Sequence, residues 1–405
     1  MNQPFETNFL ANTGLWHSID GSVYHTLAID SIDRLHGTGS NDLRNLQADI
    51  RLDNIGIITT SENFVGSLLG LDATPSTTHF YLVSSFSLIP QVSSTMYQDV
   101  TTARTATPFF NKVACGLVHS VGLAGTTMYV TGYNGQGQLG LGPNVLSTSM
   151  WTPITGDWMD IAAGLLHTAA LSSDGTLLCT GLNEDGQCGR PTTEPILNIF
   201  TPVRDTRVFL TDNSIPTTPP RFNKVHCGGY HTITLSAAGP ASSYNMFTMG
   251  NNLSGQLGLG VGVSNTAYLQ GDTSNKNWAA VATKHVHSLA LDNTGKVYST
   301  GYNNRGQLGT NDTTTRYVWT DLGTGNPWNT LSIKSIAAGY EHSIVIDAEN
   351  HAYSVGRNLE GQLGNNGDFS EQETAWQVLS GSFKAAYTGA FASFLIYGPY
   401  LGSIR

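Results

Sequence analysis

Six histidines recur in one local setting. His25, His119, His167, His231, His287 and His342 each stand directly before Ser or Thr. A ring of imidazoles could hold a metal ion or carry protons. The spacing argues against a shared ion. From His119 to His342 successive copies lie 48 to 64 residues apart, so each belongs to a different repeat. A single Zn²⁺, with bonds of ~2.0–2.1 Å, does not gather ligands from that many separate units. The expected role is hydrogen bonding between repeats. His226 and His285 lie close to His231 and His287, and a two-ligand site there is the weaker alternative.

A second candidate is GQGQLG from Gly135, which formally matches G-x-G-x-x-G. Dinucleotide binding needs a helix after that loop and an acidic residue ~20 positions on. Here the loop leads into strands, and it recurs. GYNGQGQLG starts at Gly132, GLNEDGQCG at Gly181, GNNLSGQLG at Gly250, GYNNRGQLG at Gly301 and GRNLEGQLG at Gly356. A repeated tight turn explains the glycines. In it Asn134, Asn183, Asn252, Asn303 and Asn358 are expected to bond backbone across the turn. G-x-S-x-G, H-E-x-x-H and Walker patterns do not occur, and the carboxylates scatter through hairpin tips. The chain therefore reads as non-enzymatic, with no catalytic residue, cofactor or metal assigned. The four cysteines, Cys115, Cys179, Cys188 and Cys227, are too few to staple the chain. They read as reduced and buried, with a Cys179–Cys188 bridge as the rival.

These residues need strands to position them. HTAALSSDGTLLCTG after His167 is strand, Asp-Gly turn, strand, and HSLALDNTGKVYSTG after His287 repeats the pattern. The run before each His, such as SIAAG, is a third strand of small residues suited to a narrow axis. The GQLG turn leads to a fourth. Four antiparallel strands per ~50 residues is a propeller blade.

The A-x-G-x-x-H-[ST] strand, the D-G hairpin and the G-x-N-x-x-G-Q-L-G turn resemble the regulator-of-chromosome-condensation repeat family of β-propellers. The resemblance spans roughly residues 15–397. It implies an all-β fold: one propeller of four-stranded antiparallel blades over residues 1–405, seven by family habit. FKAAYTGAFASFLIY supplies the last inner module, with Ala392 where the others have His. An eighth blade stays open, because IGIITTSENFVGSLLGLDA and HFYLVSSFS lie between His25 and His119. SFLIYGPYLGSIR is expected to pair with ETNFL and close the ring.

The longest insertion reads as 189–224, rich in proline. Its apolar residues Ile196, Ile199, Phe200, Val208, Phe209 and Leu210 are the candidate partner contacts. The linker tryptophans, such as Trp158 and Trp278, pack between blades or anchor a partner. Charged residues are 12 %, about half the ~25 % of typical soluble domains, and the net charge is −10. There is no basic run, which speaks against nucleic acid, and no apolar stretch of ~18 residues, which speaks against membrane insertion by a helix. MNQPFETNFLANTG lacks the pattern of a secretory signal. The expected setting is cytoplasmic or part of an assembled particle. The function expected is a protein-interaction scaffold, in its finer form a structural subunit of a larger assembly of virion or tail type. The alternative, implied by the family, is guanine-nucleotide exchange on a small GTPase. The founding member also docks on chromatin through a basic arm that residues 1–14 do not carry.

Overall fold

The computed structural model describes residues 9–12, 16–23, 25–30, 35–39, 81–82, 108–203, 221–236, 245–272, 274, 276–323, 325–328, 331–365 and 371–397. Among these residues there is no helix, and the strands group into seven sheets. Blade one holds Trp16–Gly21, His25–Asp30, Leu35–Gly39 and Tyr81–Leu82. Blade two holds Lys112–Cys115, His119–Ala124, Thr127–Tyr133 and Ser147–Ile154. Blade three runs Trp158–Ala163, His167–Ser172, Leu177–Leu182 and Ile196–Pro202. Blade four runs Phe222–Cys227, His231–Ser236, Met246–Gly250 and Thr266–Gly271. Blade five has Trp278–Lys284, His287–Asp292, Val297–Gly301 and Arg316–Asp321; blade six has Ile333–Ala338, His342–Asp347, Ala352–Arg357 and Gln372–Leu379. Blade seven combines Phe383–Thr388 and Ser393–Tyr397 with Phe9–Asn12 from the start of the chain.

The first strand of each blade is innermost. These strands touch in one closed circle, blade one meeting both two and seven. Among the described residues no eighth blade stands between one and two. Tyr81–Leu82, from the HFYLVSSFS segment, is instead the outer strand of blade one, paired with His36 and Gly37. IGIITTSENFVGSLLGLDA lies outside the described residues. Closure joins the two ends of the chain: Phe9 and Leu10 pair with Ser393 and Phe394, in parallel. This removes an exposed edge.

The core is divided by joint rather than pooled at a centre. Seven apolar clusters are described, one at each joint between blades. Sheet faces alternate in side-chain direction, so each blade gives one face to each neighbour. Ile161 and Ala163 pack toward blade two, while Ala162 and Ala169 pack toward blade four.

Two sequence readings change. Residues 196–202 are not insertion but the outer strand of blade three: Leu182 pairs with Ile196 and Cys179 with Thr201. The prolines at 191, 195 and 202 bracket that strand and disguised it. Cys179 and Cys188 form a disulfide, so only Cys115 and Cys227 are free thiols among the four. Cys188 takes the Leu place of the GQLG turn, which folds the turn back onto the strand carrying Cys179.

Candidate functional site

His167 pairs with Gly181 across its hairpin, and His287 pairs with Gly301. The turn between the first two strands and the G-x-N-x-x-G-Q-L-G turn therefore share one face of the disc. The Asp-Gly hairpins lie on the other.

On the turn face each histidine reaches into the next blade. His119 Nε2 meets Thr168 Oγ1 at 2.9 Å, and His167 meets Thr232 at 3.1 Å. His231 meets Ser288 at 3.1 Å, His287 meets Ser343 at 3.0 Å and His342 meets Ser393 at 3.1 Å. His25 pairs with Ser120 at 2.7 Å. The hydroxyl is held from a second side. Thr168 donates to the Gln138 carbonyl, Thr232 to Gln187, Ser288 to Gln256, Ser343 to Gln307 and Ser393 to Gln362. Its one proton is thereby committed, so Nε2 carries the hydrogen. Both clamps come from one blade and the hydroxyl from the next. Burial pushes the pKa of His119, His167, His231 and His287 down to about 3, and that of His342 to about 4. Sealed and neutral, these rings cannot exchange protons with a substrate. Gly164 shows why glycine precedes His119, His167, His231 and His342 by three: a Cβ there would fall 2.1 Å from His167 Cε1.

The asparagines brace the Gln turn. Asn134 Oδ1 accepts from Leu139 N–H at 2.8 Å, and Asn183, Asn252, Asn303 and Asn358 accept in the same way from residues 188, 257, 308 and 363. The braced turn presses on the following blade's outer strand. At Gly309, in a left-handed conformation (φ 67°), a Cβ would strike the Trp376 ring.

Around the axis the turn residues form a second belt. Leu117 N–H donates to Leu165, Leu165 to Gly229, Gly229 to His285, Tyr340 to Ala390 and Ala390 to Ser22. The belt leaves a cavity of about 20 Å³, room for a water molecule rather than an organic ligand. Blade five departs from the pattern here. Lys284 stands where blades two, three, four, six and seven have Gly and blade one has Ser22, and its Nζ crosses the axis to Asp20 Oδ1 at 2.9 Å. Asp20 also accepts from Cys115 N–H at 2.7 Å. The next residue, His285, adopts φ 49°, a costly conformation for a non-glycine residue. Its ring stacks on Tyr340 with centroids 3.5 Å apart. Tyr340 continues to Phe391 at 5.4 Å, and the Arg357 guanidinium lies 5.2 Å over Phe391. Glu341 and Glu360 hold Arg357 in place. Burial takes the His285 pKa down to about 4, so this stack is uncharged at neutral pH.

The chain belongs to the RCC1-like domain family. The family model matches residues 2–395. A Caenorhabditis elegans X-linked retinitis pigmentosa GTPase regulator homolog is 30% identical over 202 residues, 49% of this chain and 13% of that protein. The Xenopus laevis regulator of chromosome condensation is 27% identical over 288 residues, 66% of this chain and 64% of that protein. The chain thus spans less than two thirds of the curated relatives it matches. Prp20p from Saccharomyces cerevisiae has the same fold, with TM-score 0.66 at 17% identity, covering 93% of this chain and 80% of Prp20p. By family and fold this chain is an RCC1-like propeller.

The candidate contacts of 196–210 separate. Ile196 and Ile199 are exposed, at 38% and 60%. Phe200 turns inward onto Trp158, rings 5.4 Å apart, and so supplies packing rather than a surface. Val318 holds in blade five the place of Ile199, next to the inward Trp319, and is exposed too. Exposure at that place therefore recurs in two outer strands. Val208, Phe209 and Leu210 lie outside the described residues. Trp158 and Trp278 are buried in joints, Trp278 donating to Asp272. His226 lies on the first strand of blade four and His285 in the turn after that of blade five, and among the described residues no group of three His, Cys, Asp or Glu could hold a metal ion. Lys284, Asp20, Tyr340, Phe391 and Arg357 escaped the sequence reading. The available signal was Lys in a glycine place, in ATKHVHS.

Proposed function

We propose that this propeller is a protein-interaction scaffold whose turn face receives the partner. The observation that supports the reading is the His285–Tyr340–Phe391 stack with Arg357 beside it. It is a half-buried aromatic and guanidinium cluster on a rigid rim, the residue types that dominate binding energy at interfaces. Leu253 and Leu359, exposed at the tips of two Gln turns, extend the same face outward. Ile196 and Ile199 form a secondary contact on the outer wall. A photo-crosslinking residue at position 340 or 359 should capture one protein from the native source, and the same residue at position 174, on the hairpin face, should not. Capture from 174 alone would reverse the assignment of faces.

The finer reading is a subunit of a larger assembly, of virion or tail type, supported by the sparse charge. Light scattering on material from the native source tests it: a species of one chain's mass sinks it. The second reading is guanine-nucleotide exchange on a small GTPase. It draws on family membership and on Prp20p, which was crystallised in a study of its binding to Gsp1p and histones. Release of labelled guanine nucleotide from a panel of small GTPases, unchanged by this protein, would dismiss it.

A further inference from the structure

In blades three, five and six the third strand is tied to the Gln turn at one matching spot. The tie joins the residue two before the first glycine of the motif to the residue seven after it. In blade five Ser299 Oγ donates to the Leu308 carbonyl at 2.9 Å, and in blade six Ser354 Oγ donates to the Leu363 carbonyl at 2.8 Å. Blade three has Cys179 and Cys188 at these two places and joins them covalently. Blades two and four have Val130 and Thr248 at the strand place. Val130 cannot donate, and Thr248 Oγ1 is buried without a partner among the described residues. The same turn therefore forms with a covalent tie, with a hydrogen bond or with neither. The bridge spans a sequence separation of nine inside one blade, so it does not close the ring, and so short a loop constrains little of the unfolded chain.

Its neighbours give it reach. Cys188 N–H donates to Asn183 Oδ1 at 3.0 Å. The carbonyl before it, that of Gln187, accepts from Thr232 Oγ1 at 2.8 Å, and Thr232 is the hydroxyl that His167 meets. At Gly186 the turn runs so close to the outer strand of blade four that a Cβ would fall 2.3 Å from Ala267 Cα. Asp185 accepts from the Asn265 side chain. The bridged turn is thus part of the hold of blade three on blade four. In the other Gln turns Leu139, Leu257, Leu308 and Leu363 are buried at the place of Cys188. A reduced Cys188 is shorter than leucine and leaves that place underfilled.

We infer that the Cys179–Cys188 bridge is a redox-sensitive brace: a dithiol reductant opens it, and the Gln turn of blade three and its hold on blade four loosen while the propeller stays folded. A thiolate of the reductant bonds to one sulfur, and the electron pair of the S–S bond leaves on the other, which takes a proton. The second thiol of the reductant then displaces the first sulfur. The protein gains two electrons and two protons, and the reductant departs as a disulfide. Both sulfurs are buried, so attack waits for a local opening of the turn. Cys227 lies in the same apolar cluster. Burial pushes its thiol up to about 12, so it stays protonated and does not exchange with the bridge. The inference does not depend on the docking reading.

The test compares the full oxidised chain with the same protein in dithiothreitol. Alkylation after denaturation should find two free thiols before reduction and four after it. In hydrogen exchange read by mass spectrometry, reduction should speed the amides of 183–189 about tenfold or more and change those of 303–309 in blade five less than about twofold. Cys179→Ser with Cys188→Leu gives blade three the residue pair of blade five. This double variant should fold, keep 183–189 within about threefold of the oxidised parent and ignore the reductant. A bridge that excess dithiol leaves intact in the folded protein, or opens without change at 183–189, overturns the inference. Loss of protection in all blades together also overturns it, because the bridge would then staple the whole fold. So does a response to dithiol that persists in the double variant.

Discussion

The histidine carries a testable load. His167 donates to Thr232, which is also tied to Gln187, so removal of the ring breaks one joint at one point. His167→Ala should cost roughly 2–4 kcal/mol, from the lost hydrogen bond and the cavity together. Denaturant titration checks this, and a cost under about 0.5 kcal/mol would mean the ring is incidental. The same rings set the acid limit. Folded values of about 3 to 4 stand well below the ordinary 6.5, chiefly through burial. Between those values the unfolded chain holds more protons than the folded one. Stability from the six rings is therefore complete above pH ~6.5 and drains away as pH falls toward 3. Each ring contributes up to about 1.4 kcal/mol per pH unit in that window. The unfolding midpoint in urea should drop steeply from pH 6 to pH 4, and a flat profile would contradict buried neutral rings. At this scale the sequence was informative where a motif repeats, since H-[ST] and G-x-N-x-x-G-Q name both partners of the clamp. It was mute where one residue acts across the ring. Lys284 and Asp20 are 264 positions apart, and nothing local in either announces the other.

Among the elements, one joint lacks its clamp. Blade seven keeps Gly389 at the place that admits a histidine ring elsewhere, yet carries Ala392 instead of His. A Cβ on Gly389 would meet nothing closer than 3.7 Å, whereas the same atom on Gly164 would strike an imidazole. A Cβ thus fits at the place where the other blades meet a ring, and Thr26 of blade one stands in the receiving place of the H-[ST] pair. Ala392→His should therefore complete the circle and stabilise the protein by about 0.5–1.5 kcal/mol, the usual net value of a hydrogen bond. An unchanged or lower melting temperature would show that the ring cannot reach Thr26. The loss of His at 392 was legible once the repeat was aligned. The outer strands were harder to read, because they are half exposed and their alternation is broken by bulges, as between Cys179 and Gly181. Ile196–Pro202 looked like insertion for that reason, and Cys188, in the Leu place of a turn motif, left the Cys179–Cys188 bridge as the lesser of two readings.

At the scale of the molecule, a ring of joints opens at its weakest member. Two observations put that member between blades seven and one. It has no imidazole clamp. Its link in the axial belt, Ala390 to Ser22, is 3.3 Å, longer than the other four at 2.8 to 3.1 Å. What holds it shut is the parallel pairing of Phe9–Asn12 with Ser393–Ile396, a short contact between chain ends. Opening there exposes one joint and leaves six intact, so it is the least costly way to expose interior backbone. Native-state hydrogen exchange should find the amides of His25–Asp30 and Ser393–Tyr397 opening at least 1.4 kcal/mol more easily than those of His167–Ser172 and His231–Ser236, about tenfold in protection. Ala392→His should raise protection at the seam and leave blades three and four unchanged. Equal protection around the ring would mean that the propeller unfolds as one cooperative body, with the missing clamp offset by the paired chain ends.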